Sequence, residues 1–106
     1  MNMTYHCEVE RKDRVQNIIE HVGLGQVVKE KFVRFSGQAG RYVCLTDTGV
    51  TIIKSEDKQI IITMYITTRK ELLQVYGNAK KIPAYLHKKV SYNQTRYVSR
   101  GRTIWD

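Results

Sequence analysis

Proline, cysteine, long apolar runs and, toward the C-terminus, acidic residues are all scarce in this chain, and each scarcity excludes something. A single proline, Pro83, leaves the rest of the chain free to build uninterrupted elements. The two cysteines, Cys7 and Cys44, stand far apart in alternating runs where a small hydrophobe would serve. Neither a disulfide scaffold nor a CxxC metal knuckle is expected from them. The three histidines, His6, His21 and His87, have no HxxxH spacing, so no metal and no cofactor is expected. No apolar stretch approaches the roughly 20 residues that span a bilayer, and residues 1–6 lack the basic-then-apolar pattern of a secretion signal. The expected setting is cytoplasmic, with no membrane partner. In that setting the sequon Asn93-Gln94-Thr95 reads as chance.

The shortage of acids is regional. Residues 1–68 carry nine Lys/Arg against eight Asp/Glu, whereas residues 69–106 carry nine against Glu71 and Asp106 alone. Nearly all of the net charge of +8 therefore sits in the last third. A solvated surface normally mixes both signs, and one-sided enrichment creates a field that attracts polyanions. Apolar residues make up 42% of the 106 residues, which fits one folded domain with its own core.

Along the chain, Val15, Ile18, Ile19 and Val22 recur at helical spacing, with Asp13 as N-cap and Gly23 as the terminating residue. A second short helix is expected from Gln26 to about Phe32, followed by a loop over residues 36–40. Residues 41–46, 50–54 and 59–67 are β-branched and aromatic runs joined by short turns, which predicts an antiparallel meander. The third run is apolar almost throughout and reads as a central strand, with Ile60, Ile62, Met64 and Ile66 on one face and Ile61, Thr63, Tyr65 and Thr67 on the other. Thr68-Arg69-Lys70-Glu71 has the form of a capping box before a short helix ending at Gly77. Pro83 suits the first turn of another helix through Tyr85, Leu86 and Val90. No period survives from Asn93 onward, so residues 1–92 read as the domain and 93–106 as a basic aromatic arm.

Two constellations carry chemistry. In the first, Lys80, Lys81, Lys88, Lys89, Arg96, Arg100 and Arg102 are interleaved with Tyr85, Tyr92, Tyr97 and Trp105. Cations neutralise phosphates and aromatic faces stack on unpaired bases, a sequence-tolerant grip on nucleic acid. Tyr97 and Trp105, nearest the arm's arginines, are the expected stacking residues. In the second, Arg41, Thr63 and Tyr65 project from the sheet, with His21 at the end of the first helix within reach. Cleavage of RNA by its own 2′-hydroxyl needs a base, an acid and a cation, which imidazole and guanidinium groups provide.

The segment Thr48-Gly49-Val50-Thr51-Ile52-Ile53-Lys54-Ser55-Glu56-Asp57-Lys58-Gln59-Ile60-Ile61-Ile62-Thr63-Met64-Tyr65 resembles the strand–turn–strand of the barnase–EndoU–colicin–RelE superfamily, small ribonuclease folds that include many bacterial toxins. The resemblance runs over residues 13–67. It implies N-terminal helices before a four-stranded antiparallel sheet, and a cleft with a helix-borne histidine at His21 and sheet-borne Arg41, Thr63 and Tyr65. Many members carry that histidine inside the first helix, followed by arginines, whereas His21 stands alone at the helix end.

The expectation is thus an α+β domain, with N-terminal helices packed on a small antiparallel β-meander and a basic helical C-terminal extension. The expected function is that of an RNA-binding, ribonuclease-like protein, a toxin or phage-encoded effector acting as a metal-independent endoribonuclease. The alternative is a non-enzymatic phage or mobile-element inhibitor that docks on a nucleic-acid-handling complex, and a third reading is a plain nucleic-acid-binding module. The expected partners are nucleic acid, RNA before DNA, or an acidic protein such as an antitoxin.

Overall fold

Four runs rich in β-branched and aromatic residues pair into an antiparallel sheet in a computed structural model that describes residues 2–3, 12–34 and 36–105, with side chains from Arg14 onward. The strands are β1 (Asn2–Met3), β2 (Val27–Val33), β3 (Arg41–Thr46), β4 (Val50–Ser55) and β5 (Ile60–Ile66), in the order β1-β5-β4-β3-β2. The two-residue β1 adds parallel to β5, and all other pairings are antiparallel. Three helices complete the α+β architecture: α1 (Lys12–Asn17), which winds on as a π-turn over Ile18–Val22, then α2 (Arg69–Tyr76) and α3 (Ala84–Tyr97). A two-stranded hairpin, β6 (Val98–Ser99) and β7 (Arg102–Thr103), follows. Among the described residues no helix is long and apolar enough to cross a membrane.

Side chains alternate across a strand, so the neighbours Cys44 and Leu45 face opposite ways and seed two separate cores. On one face Cys44, Val50, Ile52, Ile61 and Met64 pack on Ile18 of the π-turn, with Val15, Val22 and Trp105 at the margin. On the other, Leu45 packs on Leu72 and Val75 of α2 and on Leu86 and Val90 of α3. The helices therefore sandwich the sheet. The expected pair of N-terminal helices on one face is corrected to a single one, α1.

The expected C-terminal extension is corrected too. Leu86 and Val90 are both 0% exposed, so α3 is part of the core. The helix also runs past Asn93 to Tyr97, and the proposed domain boundary at 92/93 falls inside it. The apolar period persists through residues that are not apolar, because Leu86, Val90, Asn93 and Tyr97 recur at i, i+4, i+7 and i+11. Asn93 is 1% exposed, and its amide donates to the carbonyl of Thr48 at 2.9 Å. That burial also removes the sequon from use.

The segment read as a second helix is the strand β2. Its β-branched Val27, Val28 and Val33 favour extended backbone, and pairing with β3 settles the choice. In β5 the predicted alternation breaks at a bulge: Ile53 pairs Thr63 but Lys54 pairs Ile61, leaving Ile62 extra. Ile61 thereby joins Met64 in the α1-side core. β5 is also less central than expected, since its outer side carries only the short β1. The three strands of the meander and the Gly23 terminus (φ 82°, its N–H bonded to the Ile18 carbonyl) agree with expectation. The first helix is present too, but it already includes Lys12, so Asp13 lies inside it and is not its N-cap. His6, Cys7 and the side chain of Asp13 lie outside the described residues.

Candidate nucleic-acid interface and sheet cavity

With Leu86 and Val90 turned to the core, the 100° step of the helix fixes what α3 shows to solvent. Tyr85, Lys88, Lys89, Tyr92 and Arg96 fall within about a third of the helix circumference on the opposite side. All five are exposed, Tyr85 at 51% and Tyr92 at 54%. The ammonium group of Lys89 lies 5.8 Å from the centre of the Tyr92 ring. From Leu72 to Trp105 the chain holds no acidic residue, so α3 has no carboxylate of its own to neutralise the stripe. Lys80 and Lys81 are exposed on a single 3-10 turn ahead of the helix, not on the helix itself. Arg100 and Arg102 are exposed on the hairpin that follows it.

The four interleaved aromatics divide two and two. Tyr85 and Tyr92 face solvent. Tyr97 turns inward, its hydroxyl donating to the His21 carbonyl at 3.2 Å and its ring 5.3 Å from that of Trp105. Trp105 packs against the α1-side core and stacks on His21 with ring centres 6.0 Å apart. Tyr97 and Trp105, expected as stacking residues for a ligand, flank the hairpin and are engaged with each other and with His21. Tyr85 and Tyr92 are the two rings left open to solvent, and the signal that finds them is the phase of the helix relative to Leu86 and Val90.

The second constellation assembles only in part. Arg41, Thr63 and Tyr65 line one cavity of about 320 Å³ on the α2 side of the sheet, floored by Val33, Val43 and Ile53. The register explains the meeting: Val43 opposes Ile53 and Ile53 opposes Thr63, so one row of side chains crosses three strands. His21 does not join them, because it rides on the layer that covers the other face. Tyr65 is also committed elsewhere. Its hydroxyl donates to the Glu71 carboxylate, whose other oxygen accepts from Thr51 at 2.5 Å. Burial and that carboxylate push the Tyr65 phenol well above its ordinary range, so it stays protonated. The sequence predicts Glu71 as the partner in a capping box, but only half of the box forms. Thr68 Oγ1 accepts from the Glu71 N–H at 3.1 Å, while the Glu71 carboxylate turns to Tyr65 and Thr51 instead of back to the N-cap. Its anchoring of Tyr65 and Thr51 gives no sequence signal.

Among the described residues no histidine lines the cavity, and no group of three or more His, Cys, Asp or Glu comes together. The cavity offers a guanidinium and hydroxyl groups but no free base. No protein-family model, characterised protein or solved structure matches this chain.

Proposed function

We propose that this protein binds RNA, in single-stranded or looped form, through the outer face of α3. The observation that carries the proposal is the exposed stripe Tyr85, Lys88, Lys89, Tyr92 and Arg96 on a helix without acidic residues. It extends about 16 Å along the helix axis at 1.5 Å per residue. Lysine and arginine release counterions from a phosphate backbone, and tyrosine rings stack on any unpaired base, so affinity comes with little sequence preference. Binding is favoured over cleavage because general base catalysis needs a group within reach of the 2′-hydroxyl, and His21 sits across the sheet from Arg41 and Tyr65.

The test is fluorescence anisotropy with a mixed-sequence single-stranded RNA, titrated across salt concentrations. The triple variant Lys88→Glu, Lys89→Glu, Arg96→Glu is expected to lose most of the affinity and to flatten the log–log salt slope by about 2, at about 0.7 per phosphate contact. Tyr85→Ala and Tyr92→Ala each cost about 1–3 kcal/mol if they stack on a base. His21→Ala leaves binding unchanged. Wild-type affinity in the triple variant would remove the proposal, and RNA cleavage abolished by His21→Ala would restore the enzymatic reading.

A further inference from the structure

Among the described residues the sheet ends on an open edge. β2 pairs with β3 on one side, and among the described residues nothing pairs with its other side. Six of its seven residues are exposed, including Val28 at 41% and Phe32 at 42%. An unpaired edge presents a row of backbone donors and acceptors to any extended chain.

Its side chains select what that chain can be. Lys29 opposes Leu45 and Lys31 opposes Val43, so both lysines stand on the α2 side of the sheet. Lys31 Nζ donates to the Gln74 carbonyl at 3.1 Å, and Lys29 Nζ lies 5.6 Å from the Tyr76 ring centre. Neither has a carboxylate partner among the described residues. The single acid of the strand, Glu30, is already taken by Lys58 at 2.7 Å. On the other side of the strand Phe32 offers an apolar surface beside Tyr42.

A second copy of this chain fits the edge poorly. Antiparallel pairing about a two-fold axis sets residues of the same face opposite one another. The registers that pair most of β2 with itself then place Lys29 on Lys31, Lys29 on Lys29, or Lys31 on Lys31. Only short registers near the ends of the strand, centred on Val28 or Phe32, avoid this. Lysines on an edge repel like strands and attract acidic ones.

We propose that the outer edge of β2 is a strand-addition site for an extended acidic segment of a partner protein. The segment carries carboxylates at alternate positions facing Lys29 and Lys31, and apolar residues facing Phe32. This surface is separate from the outer face of α3, so the proposal does not depend on RNA binding.

The probe is a fluorescein-labelled peptide, Thr-Val-Glu-Val-Glu-Val-Thr, read by anisotropy against the full chain, beside the same peptide with Lys in place of Glu. The acidic peptide is expected to bind and the Lys peptide not to. Lys29→Glu with Lys31→Glu should weaken peptide binding by about tenfold or more while leaving RNA binding in place. The α3 triple variant should do the reverse, which separates failure here from failure of the RNA reading. Backbone hydrogen bonding is tested on the wild-type protein with peptides N-methylated at alternate residues. One phase should lose binding and the other keep it, because only every second N–H points at the edge. Equal binding of both N-methylated phases, or equal binding of the acidic and Lys peptides, overturns the proposal. So does a dimer seen by sedimentation that Phe32→Glu dissolves, since the occupant would then be a second copy.

Discussion

The two helices that bracket the sheet, α1 and α3, do the same structural work with opposite surfaces. α1 and its π-turn bury Ile18 completely and expose Gln16, Ile19, Glu20 and His21, a mixture of polar, apolar and acidic side chains. α3 buries Leu86 and Val90 as completely but carries tyrosines and cations outward with no acid among them. Covering a sheet face requires one apolar stripe and leaves the other stripe free. On α1 that free stripe is ordinary solvated surface, and on α3 it is chemically biased. The core role of α3 and its proposed binding role are therefore separable by substitution.

The largest expected effect tests whether the cores are equivalent. Leu86→Ala and Ile18→Ala should each cost about 2–5 kcal/mol in urea unfolding, the usual range for emptying a buried aliphatic site. A cost for Leu86→Ala far below that for Ile18→Ala would make α3 the detachable extension that its sequence suggested. A smaller effect is expected from Asn93→Ala, which strands the Thr48 carbonyl; about 1–3 kcal/mol should be lost, measured the same way. Gly49, at φ +82°, must itself stay without a side chain, because a Cβ there would lie 2.6 Å from the Asn93 amide nitrogen.

The smallest effect sharpens the contrast through pH. The Tyr65 phenol titrates higher in the folded chain than when unfolded, so its contribution is complete below the ordinary tyrosine range near 10 and is lost as pH rises beyond it. Tyr65→Phe should cost about 1 kcal/mol at neutral pH, through the lost bond to Glu71, and should remove part of the alkaline destabilisation. Urea midpoints of both proteins at about pH 9 and about pH 11 measure this, and parallel losses in the two would deny Tyr65 the role.

What could be read in advance follows from where burial leaves a period. β3, β4 and β5 were legible because β-branched runs alternate with turns too short for anything but hairpins. The N-cap at Thr68 was legible because its geometry is local. β2 was not: nearly all of it is exposed, so no buried face imprints a period, and Val27, Val28 and Phe32 suit a helix on spacing alone. The end of α3 was hidden because a buried amide at Asn93 and a half-buried phenol at Tyr97 occupy slots where apolar residues are expected. The bulge at Ile62 depends on the pairing of two strands, which neither strand announces by itself. At the candidate sites the cations were legible as a charge count. The direction of each aromatic ring was not, since it depends on helix phase for Tyr85 and Tyr92 and on the returning hairpin for Tyr97 and Trp105.

The bond from the Tyr97 hydroxyl to the His21 carbonyl spans 76 positions of sequence, and the stacking of Trp105 on His21 closes the same seam. Closing so long a loop is entropically costly until the intervening sheet has ordered. The hairpin therefore docks after the meander has formed, and with few contacts of its own it is the first part to lift away in a partial opening. Amide exchange would then be fast over residues 98–105 and slow in β4, with the single tryptophan reporting each excursion.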